Sequence, residues 1–312
     1  MAKFFRIILV VFICSSFSMQ AQTGPIFTQY MFNKMLYNPA ATGLDTGYIS
    51  AKGFYQDEWL SYRDPYDNGA PTNWSGSVDA AIGFKKAASK RFYLGLGLSY
   101  SNATVGFLTQ NQYLISASCH YLPSFGGDLS LGINSGATNM ILKPGWIIPI
   151  PIDPYLPDPI QSKNGFDGGA GLYYSTKNYY IGFSALNIIN TKIQWNQYSY
   201  SEIPVISTLT AGYNIEINHN KNLVLQPSFL LVSHSYYNAF DASCLFLYRQ
   251  RFWGGLDLKY DANTTGGIMA GVKVVKSKYG DLSLGGACDI EERSAAFFGD
   301  TLELMLNARV KI

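Results

Sequence analysis

The residues of this sequence with the greatest chemical reactivity are its cysteines and histidines. Past residue 21 they are Cys119, Cys244, Cys288, His120, His219 and His234. Each cysteine falls in the apolar phase of an alternating segment, as Cys119 does with Ile115 and Ala117. This is typical of a small apolar side chain rather than of a disulfide or metal ligand. No spacing joins the histidines to acids or cysteines in a metal-binding set, so the sequence predicts no metal and no cofactor.

Two further patterns bear on catalysis. Gly95 and Gly97 form a Gly-x-Gly pair, but it lies inside an alternating segment and opens no helix, so it does not predict a phosphate-binding loop. Asp79, Asp167 and Asp257 could form a hydrolase site on the inner face of a barrel. They lack a nucleophile and a base at a meaningful spacing. We therefore expect a protein that is not an enzyme.

The cysteines and acids named above lie in segments whose pattern predicts β-strands with one apolar face. Across residues 74–84, apolar side chains alternate with Ser75, Ser77 and Asp79, and a period of two indicates a β-strand. Thirteen other segments show the same pattern. The predicted strands cover residues 48–59, 74–84, 92–100, 112–121, 128–139, 166–175, 179–187, 208–217, 223–233, 240–248, 252–260, 266–275, 282–290 and 301–312.

Composition leaves two ways to cover the apolar faces of these strands. Charged residues make up 14% of the chain, below the roughly 25% of soluble domains. The apolar faces could meet lipid around a closed barrel or meet each other in two packed sheets. Long and short connections alternate along the predicted strands, which favours a barrel with long outer loops and short periplasmic turns. The predicted fold is all-β: a 14-stranded antiparallel transmembrane outer-membrane β-barrel formed by residues 44–312.

The first 21 residues have the pattern of a secretory signal peptide. Lys3 and Arg6 precede an apolar run over residues 7–17, and Ala21 is the expected cleavage residue. Cys14 suggests a lipoprotein anchor instead, but the small residue usually found before a lipidated cysteine is missing. Removal of Lys3 and Arg6 lowers the 23 basic residues to 21, equal to the 21 acidic ones. A neutral mature chain gives no reason to expect a nucleic-acid partner.

Residues 22–43 show no sustained alternation and are predicted to form a separate periplasmic or lumenal segment. The run IFTQYMFNKMLYNPAATG resembles the N-terminal motif of the PorP/SprF family of type IX secretion system membrane proteins, which reads close to FSQYMFNPLLYNPAYAG. The matching residues are Phe27, Gln29, Tyr30, Met31, Phe32, Asn33, Leu36, Tyr37, Asn38, Pro39, Ala40 and Gly43. The resemblance continues through residues 69–71 and 77–80. It departs at residues 56–59, where the family tends to have Arg-x-Gln-Trp.

The resemblance implies a location and a role. We expect the outer membrane of a Gram-negative, Bacteroidetes-like bacterium, with the lipid bilayer and lipopolysaccharide as surroundings. The family resemblance implies binding of the C-terminal domain of a secreted surface protein, such as an adhesin or a gliding protein, and its anchoring at the cell surface. The alternatives are a porin-like channel for small solutes and a structural subunit of the secretion machinery with periplasmic secretion components as partners.

Two segments are candidates for binding the partner. Small residues on the inner face predict a lumen with room for residues 22–43 and for a tail of the partner. The outer loop at residues 140–165 contains six prolines among apolar side chains. This loop is either a protein-binding edge or lid, or a loop packed on the barrel rim. The candidate partner-binding residues are Gln29, Tyr30, Met31, Phe32, Asn33, Tyr37, Asn38, Pro39, Trp146, Ile148, Ile150 and Tyr155.

Overall fold

The computed structural model of the protein describes residues 26–60, 69–83, 91–143, 160–197, 200–217, 222–235, 237–260, 264–291 and 299–312. Within these ranges no helix is long and apolar enough to cross a membrane. The strands are β1 (Tyr48–Asp57), β2 (Thr72–Gly83), β3 (Phe92–Val105), β4 (Leu108–Tyr121), β5 (Asp128–Leu142), β6 (Gln161–Ser175), β7 (Tyr179–Leu186), β8 (Lys192–Gln194), β9 (Tyr200–Glu202), β10 (Ile206–Tyr213), β11 (Ile215–Glu216), β12 (Leu223–His234), β13 (Tyr237–Tyr248), β14 (Phe252–Tyr260), β15 (Thr264–Ser277), β16 (Gly280–Glu291) and β17 (Thr301–Lys311).

The barrel closes because its first and last strands pair. Strand β1 runs antiparallel to β17, with Tyr48 opposite Lys311 and Asp57 opposite Leu302. Strands β8 and β9 form a separate hairpin, and β11 continues the line of β10 beside β12. The result is a closed antiparallel barrel of 14 strands, which confirms the predicted fold and strand number.

The outer connections differ from the sequence prediction. Residues 101–111 were expected to form a long loop, but β3 and β4 extend to Val105 and Leu108. The prediction was wrong because polar side chains hold these strand ends together where the apolar alternation stops. Asn102 Nδ2 donates to Asn111 Oδ1 at 2.8 Å, and the hydroxyl groups of Thr104 and Thr109 lie 3.2 Å apart. For the same reason the loop predicted at residues 140–165 is shortened, since β5 reaches Leu142 and β6 begins at Gln161.

The two faces of the barrel wall differ as the alternation predicts. Leu98, Ile115 and Leu131 are each at least 60% exposed on the outer face, where they can contact lipid. The hydroxyl residues Ser118 and Ser184 are buried on the inner face. Cys119 is exposed on the outer face, and the other two described cysteines are partly buried.

Residues 26–43, which we call the plug, lie inside the barrel. They form a 3-10 turn at Tyr30–Phe32, a short α-helix at Lys34–Tyr37 and a second 3-10 turn at Pro39–Ala41. Asn38 separates the helix from the last turn, and its Oδ1 accepts a hydrogen bond from Ala40 N. The plug side chains supply much of the buried core. One core cluster joins Phe27 to the wall residues Phe54 and Trp253.

Glycines on the inner wall let the plug approach the sheet. A Cβ at Gly95 would lie 2.1 Å from the carbonyl oxygen of Thr42, and one at Gly171 would lie 2.0 Å from Asn38 Oδ1. Both distances are far shorter than van der Waals contact, so larger residues would push the plug off the wall. The small inner-face residues are therefore the surface on which the plug rests.

We expect Gly95→Val to destabilise the barrel with its docked plug by about 1–3 kcal/mol, because the new side chain overpacks a backbone contact. The matched control is Gly83→Val, since a Cβ at Gly83 has no neighbour within 4 Å. Urea unfolding of both variants in liposomes, followed by tryptophan fluorescence, measures the difference. Equal midpoints for the two variants would contradict the proposed tight contact.

Candidate functional site in the barrel lumen

The plug runs along the barrel axis. Gln56 Nε2, close to the end of β1, donates to the carbonyl of Ile26 at 3.2 Å. The amide of Gly43 donates to Asp79 Oδ2 at 2.9 Å, and the chain then enters the first residues of β1. The plug thus begins near the barrel end that carries the long connections, which we call the loop end. It finishes near the end with the short turns.

An acidic region of the wall holds the start of the plug. Glu303 accepts hydrogen bonds from the backbone amides of Thr28 at 2.7 Å and Gln29 at 3.0 Å. Asp289 accepts a hydrogen bond from Thr28 Oγ1 at 2.5 Å, and Lys259 Nζ lies 3.4 Å from the same carboxylate. All these wall groups are buried. Hydrogen bonds to a buried carboxylate are stronger than those between neutral groups, so this region fixes Thr28 and Gln29 in place.

Two more aspartates extend the acidic region along the wall. Ser243 Oγ donates to Asp257 Oδ1 at 2.5 Å and lies 3.4 Å from Asp241 Oδ1. Asp241 and Asp257 are both buried. Across the described part of the chain, no three His, Cys, Asp or Glu side chains are grouped so that they could hold a metal ion. The contacts of these acids are with the plug, with Lys259 and with each other.

Asn38 ties the middle of the plug to two neighbouring strands. Its Nδ2 donates to the carbonyls of Leu172 at 3.0 Å and Phe183 at 3.2 Å. Next to it, the carbonyl of Tyr37 accepts hydrogen bonds from the hydroxyls of Ser184 at 2.6 Å and Thr208 at 3.0 Å. The irregular backbone of the plug therefore finds its hydrogen-bond partners on the barrel wall.

His120 closes the other end of the plug. Its Nε2 lies 2.8 Å from the carbonyl oxygen of Thr42, and its Nδ1 lies 3.1 Å from Asp128 Oδ1. The imidazole ring stacks on Tyr93, with ring centroids 4.2 Å apart. Sequence reasoning found no partner for this histidine, because Thr42 is far from it in the chain. The structure gives His120 a positioning role at the plug.

Lys34 is the basic residue of the plug and faces tyrosine rings. Its Nζ lies 3.6 Å from the centroid of Tyr180 and 6.0 Å from that of Tyr173. Burial lowers the pKa of the Lys34 ammonium from 10.5 to about 8, while Asp45 opposes this shift and Lys52 adds to it. The faces of the two tyrosine rings stabilise the protonated form of Lys34.

The structure brings together eight of the predicted partner-binding residues. Six of them are buried against the barrel wall: Gln29, Tyr30, Asn33, Tyr37, Asn38 and Pro39. Met31 and Phe32 are partly buried, and the ring of Phe32 lies 5.3 Å from that of Trp253. The other four, Trp146, Ile148, Ile150 and Tyr155, lie outside the described residues. The predicted signal peptide lies outside them as well.

The closed barrel, its apolar outer face and its filled lumen define an outer-membrane β-barrel protein. Solved structures with a similar fold include a FadL homologue of Pseudomonas aeruginosa, with a TM-score of 0.54 and 10% identity, covering 95% of this chain and 100% of that one. The monoaromatic hydrocarbon channel CymD has a TM-score of 0.57 and 13% identity over 94% and 95% of the two chains. The toluene transporter TbuX of Ralstonia pickettii has a TM-score of 0.54 and 12% identity over 94% and 96%.

The sequence identifies the family. This chain belongs to the family described as type IX secretion system membrane protein PorP/SprF, whose model matches residues 19–307. The resemblance seen in the N-terminal motif is thereby confirmed, and the chain is an outer-membrane component of that system. Neither the family nor the fold is that of a known enzyme class. No curated protein sequence matches the chain.

We expect Asn38→Leu to loosen the plug by about 2–4 kcal/mol, since it removes three hydrogen bonds of a buried side chain, one of which satisfies the buried amide of Ala40. Lys34 then becomes accessible to trypsin, and mass spectrometry of the digest measures the cleavage rate after this residue. Asn139→Leu is the matched control, because Asn139 makes its hydrogen bonds at an exposed site near the loop end. The prediction fails if the two variants are cleaved after Lys34 at the same rate.

We expect the docked plug to become more stable as the pH rises above 8. Between pH 8 and 10.5 an undocked Lys34 keeps a proton that the docked residue has released, so the equilibrium shifts toward docking by up to about 1 kcal/mol per pH unit. Urea midpoints at pH 7.5 and 9.5 measure this shift. Lys34→Met should remove it, and an unchanged pH dependence in that variant would show that Lys34 is not its source.

Proposed function

We propose that this protein binds the C-terminal domain of a secreted surface protein, an adhesin or gliding protein, and anchors it at the cell surface. The observation that carries the proposal is the match to the type IX secretion family over most of the chain. In this proposal the mature protein starts after Ala21 and works in the outer membrane of a Bacteroidetes-like bacterium, beside lipopolysaccharide.

The loop end is the proposed binding site for the partner. Strands β5 and β6 lead into and out of the Pro-rich segment, and the last three residues of β5, 140–142, are apolar. Met140 packs there with Ile193, Trp195 and Ile203 of the β8–β9 region in one buried cluster. The apolar residues Trp146, Ile148, Ile150 and Tyr155 continue from this cluster in sequence. Prolines lower the entropy that a binding loop loses on docking, which favours this loop as the contact with the partner.

The plug residues take a second part in the proposal. The barrel wall holds the residues from Gln29 to Pro39 in place. In this proposal they form a rigid surface in the lumen that the partner contacts. This arrangement disfavours the open porin-like channel, because the plug occupies the lumen along its axis. The solved structures with a similar fold include a monoaromatic hydrocarbon channel and a toluene transporter, which keeps a solute channel as the second candidate. Its operation would require displacement of the plug.

A structural role in the secretion machinery is the third candidate. The short-turn end carries the exposed basic residues Arg91, Arg249, Arg251, Lys276 and Lys278. A periplasmic secretion component with an acidic surface would fit this end. The same residues also suit contact with lipid headgroups, since several flank aromatic rings, as Arg251 does Phe252.

The test is a pull-down of the tagged protein from its native outer membrane in mild detergent, with mass spectrometry of the bound proteins. We expect a secreted surface protein in the wild-type sample and at least tenfold less of it after deletion of residues 145–158. Deletion of residues 292–298, in another outer connection, is the control and should retain the partner. Heat-modifiable migration on gels verifies that each barrel is folded.

Three results would count against the proposal. If the barrel still retains the surface protein after deletion of residues 145–158, the loop is not the binding site. Recovery of the wild-type barrel alone, together with single-channel conductance in planar bilayers, would favour the solute channel. A periplasmic protein in place of a surface protein would favour the structural subunit.

A further inference from the structure

A cavity of about 310 Å³ lies in the loop-end half of the lumen, between the plug and the wall. Apolar side chains from both sides face it. They include Ile26 and Tyr37 of the plug and Met140, Leu186, Ile203 and Val232 of the wall and its outer connections. Barrel interiors of this class are ordinarily polar, so an apolar cavity within one calls for an explanation.

The deep part of the cavity is shielded from bulk water. Met140, Ile203 and Val232 are 3%, 4% and 5% exposed, although they line empty space. Their apolar atoms are thus shielded from bulk water while lacking full packing partners. A molecule placed there would restore the dispersion contacts that the lining side chains now lack.

Three of the polar side chains that line the cavity, those of Gln112, Asn187 and Thr208, already have hydrogen-bond partners. Gln112 Nε2 donates to Asn187 Oδ1 at 3.1 Å, and Asn187 Nδ2 donates to the carbonyl of Pro204 at 3.3 Å. Thr208 Oγ1 donates to the carbonyl of Tyr37 at 3.0 Å. A buried water needs two to four polar partners, and the apolar side chains of the deep lining supply none. The cavity therefore favours an apolar occupant over water.

The charges of the lining residues favour an uncharged ligand, because the lining offers almost no unpaired charge. Glu202 lines the cavity, but its carboxylate is 3.7 Å from Lys192 Nζ in an ion pair. The inner lining carries no other charged side chain among the described residues. A charged ligand would lose its hydration without gaining a partner.

We propose that this cavity is a binding site for a small uncharged apolar molecule with a compact skeleton of about ten carbon atoms. The size follows from comparison with an engineered apolar cavity of about 150 Å³ that binds benzene, since this one has roughly twice that volume. The inference concerns a ligand of the lumen and is independent of the partner proposed above.

Binding of radiolabelled naphthalene to the full-length protein in liposomes tests the proposal, with protein-free liposomes as background. We expect saturable binding of one molecule per barrel, displaced by unlabelled naphthalene. Ala103→Phe places a ring in the cavity, because Ala103 lines it, and should weaken binding at least tenfold. Ala117→Phe is the matched control. Ala117 lies opposite Leu96 and Ile133 on the lipid-facing phase of the sheet, so this variant should bind as the wild type does.

A second filling variant guards against misfolding of the first. Val232→Phe fills the cavity from the opposite wall and should weaken binding to a similar extent. The proposal is overturned if the wild type takes up naphthalene only by linear partitioning. It is equally overturned if folded Ala103→Phe and Val232→Phe bind as tightly as Ala117→Phe. Partner retention is measured separately, so either proposal can fail without the other.

Discussion

The structure depends on one constraint: within lipid, every backbone hydrogen bond of the wall must be made inside the sheet. The pairing of β1 with β17 meets this constraint by closing the barrel. Closure with 14 strands creates a lumen too wide for wall side chains alone to fill. The plug fills it, and for this reason the inner face combines glycines and serines that leave room with acids and amides that hold the plug.

Successive residues of each wall strand face two different environments, the lipid outside and the lumen inside. Outward residues such as Leu98 and Ile115 meet lipid, while inward residues meet the plug, which presents polar backbone groups as well as apolar side chains such as Phe27. The plug satisfies part of its backbone through its own short turns, as Asn38 N does by donating to the carbonyl of Lys34. Its remaining amides and carbonyls are satisfied by Glu303, Ser184 and other inner-face groups. The burial of these backbone groups is tolerated because side chains of the inner face supply their partners.

Much of the fold could be predicted from the sequence, because a period of two defines both the strand and its buried face. The prediction that small residues line the inner face was also sound, as the positions of Gly95 and Ser184 show. Sequence periodicity carries no information on which distant groups meet, so the contacts of His120 with Thr42 and of Glu303 with Thr28 were not predicted. The true ends of β3 and β4 were missed for another reason. Side-chain pairs across the strands, not apolar alternation, extend them beyond the lipid-facing zone.

The contact between Glu303 and Thr28 has a consequence for how the molecule assembles. It joins residues 275 positions apart, one in the plug and the other in the strand that closes the barrel. The early segment cannot be fixed until the final strand is in place, because its strongest acceptor arrives with that strand. Contacts this distant in sequence form late in folding, since the loop entropy must first be overcome. A barrel open at its seam therefore lacks the acceptor that holds the start of the plug.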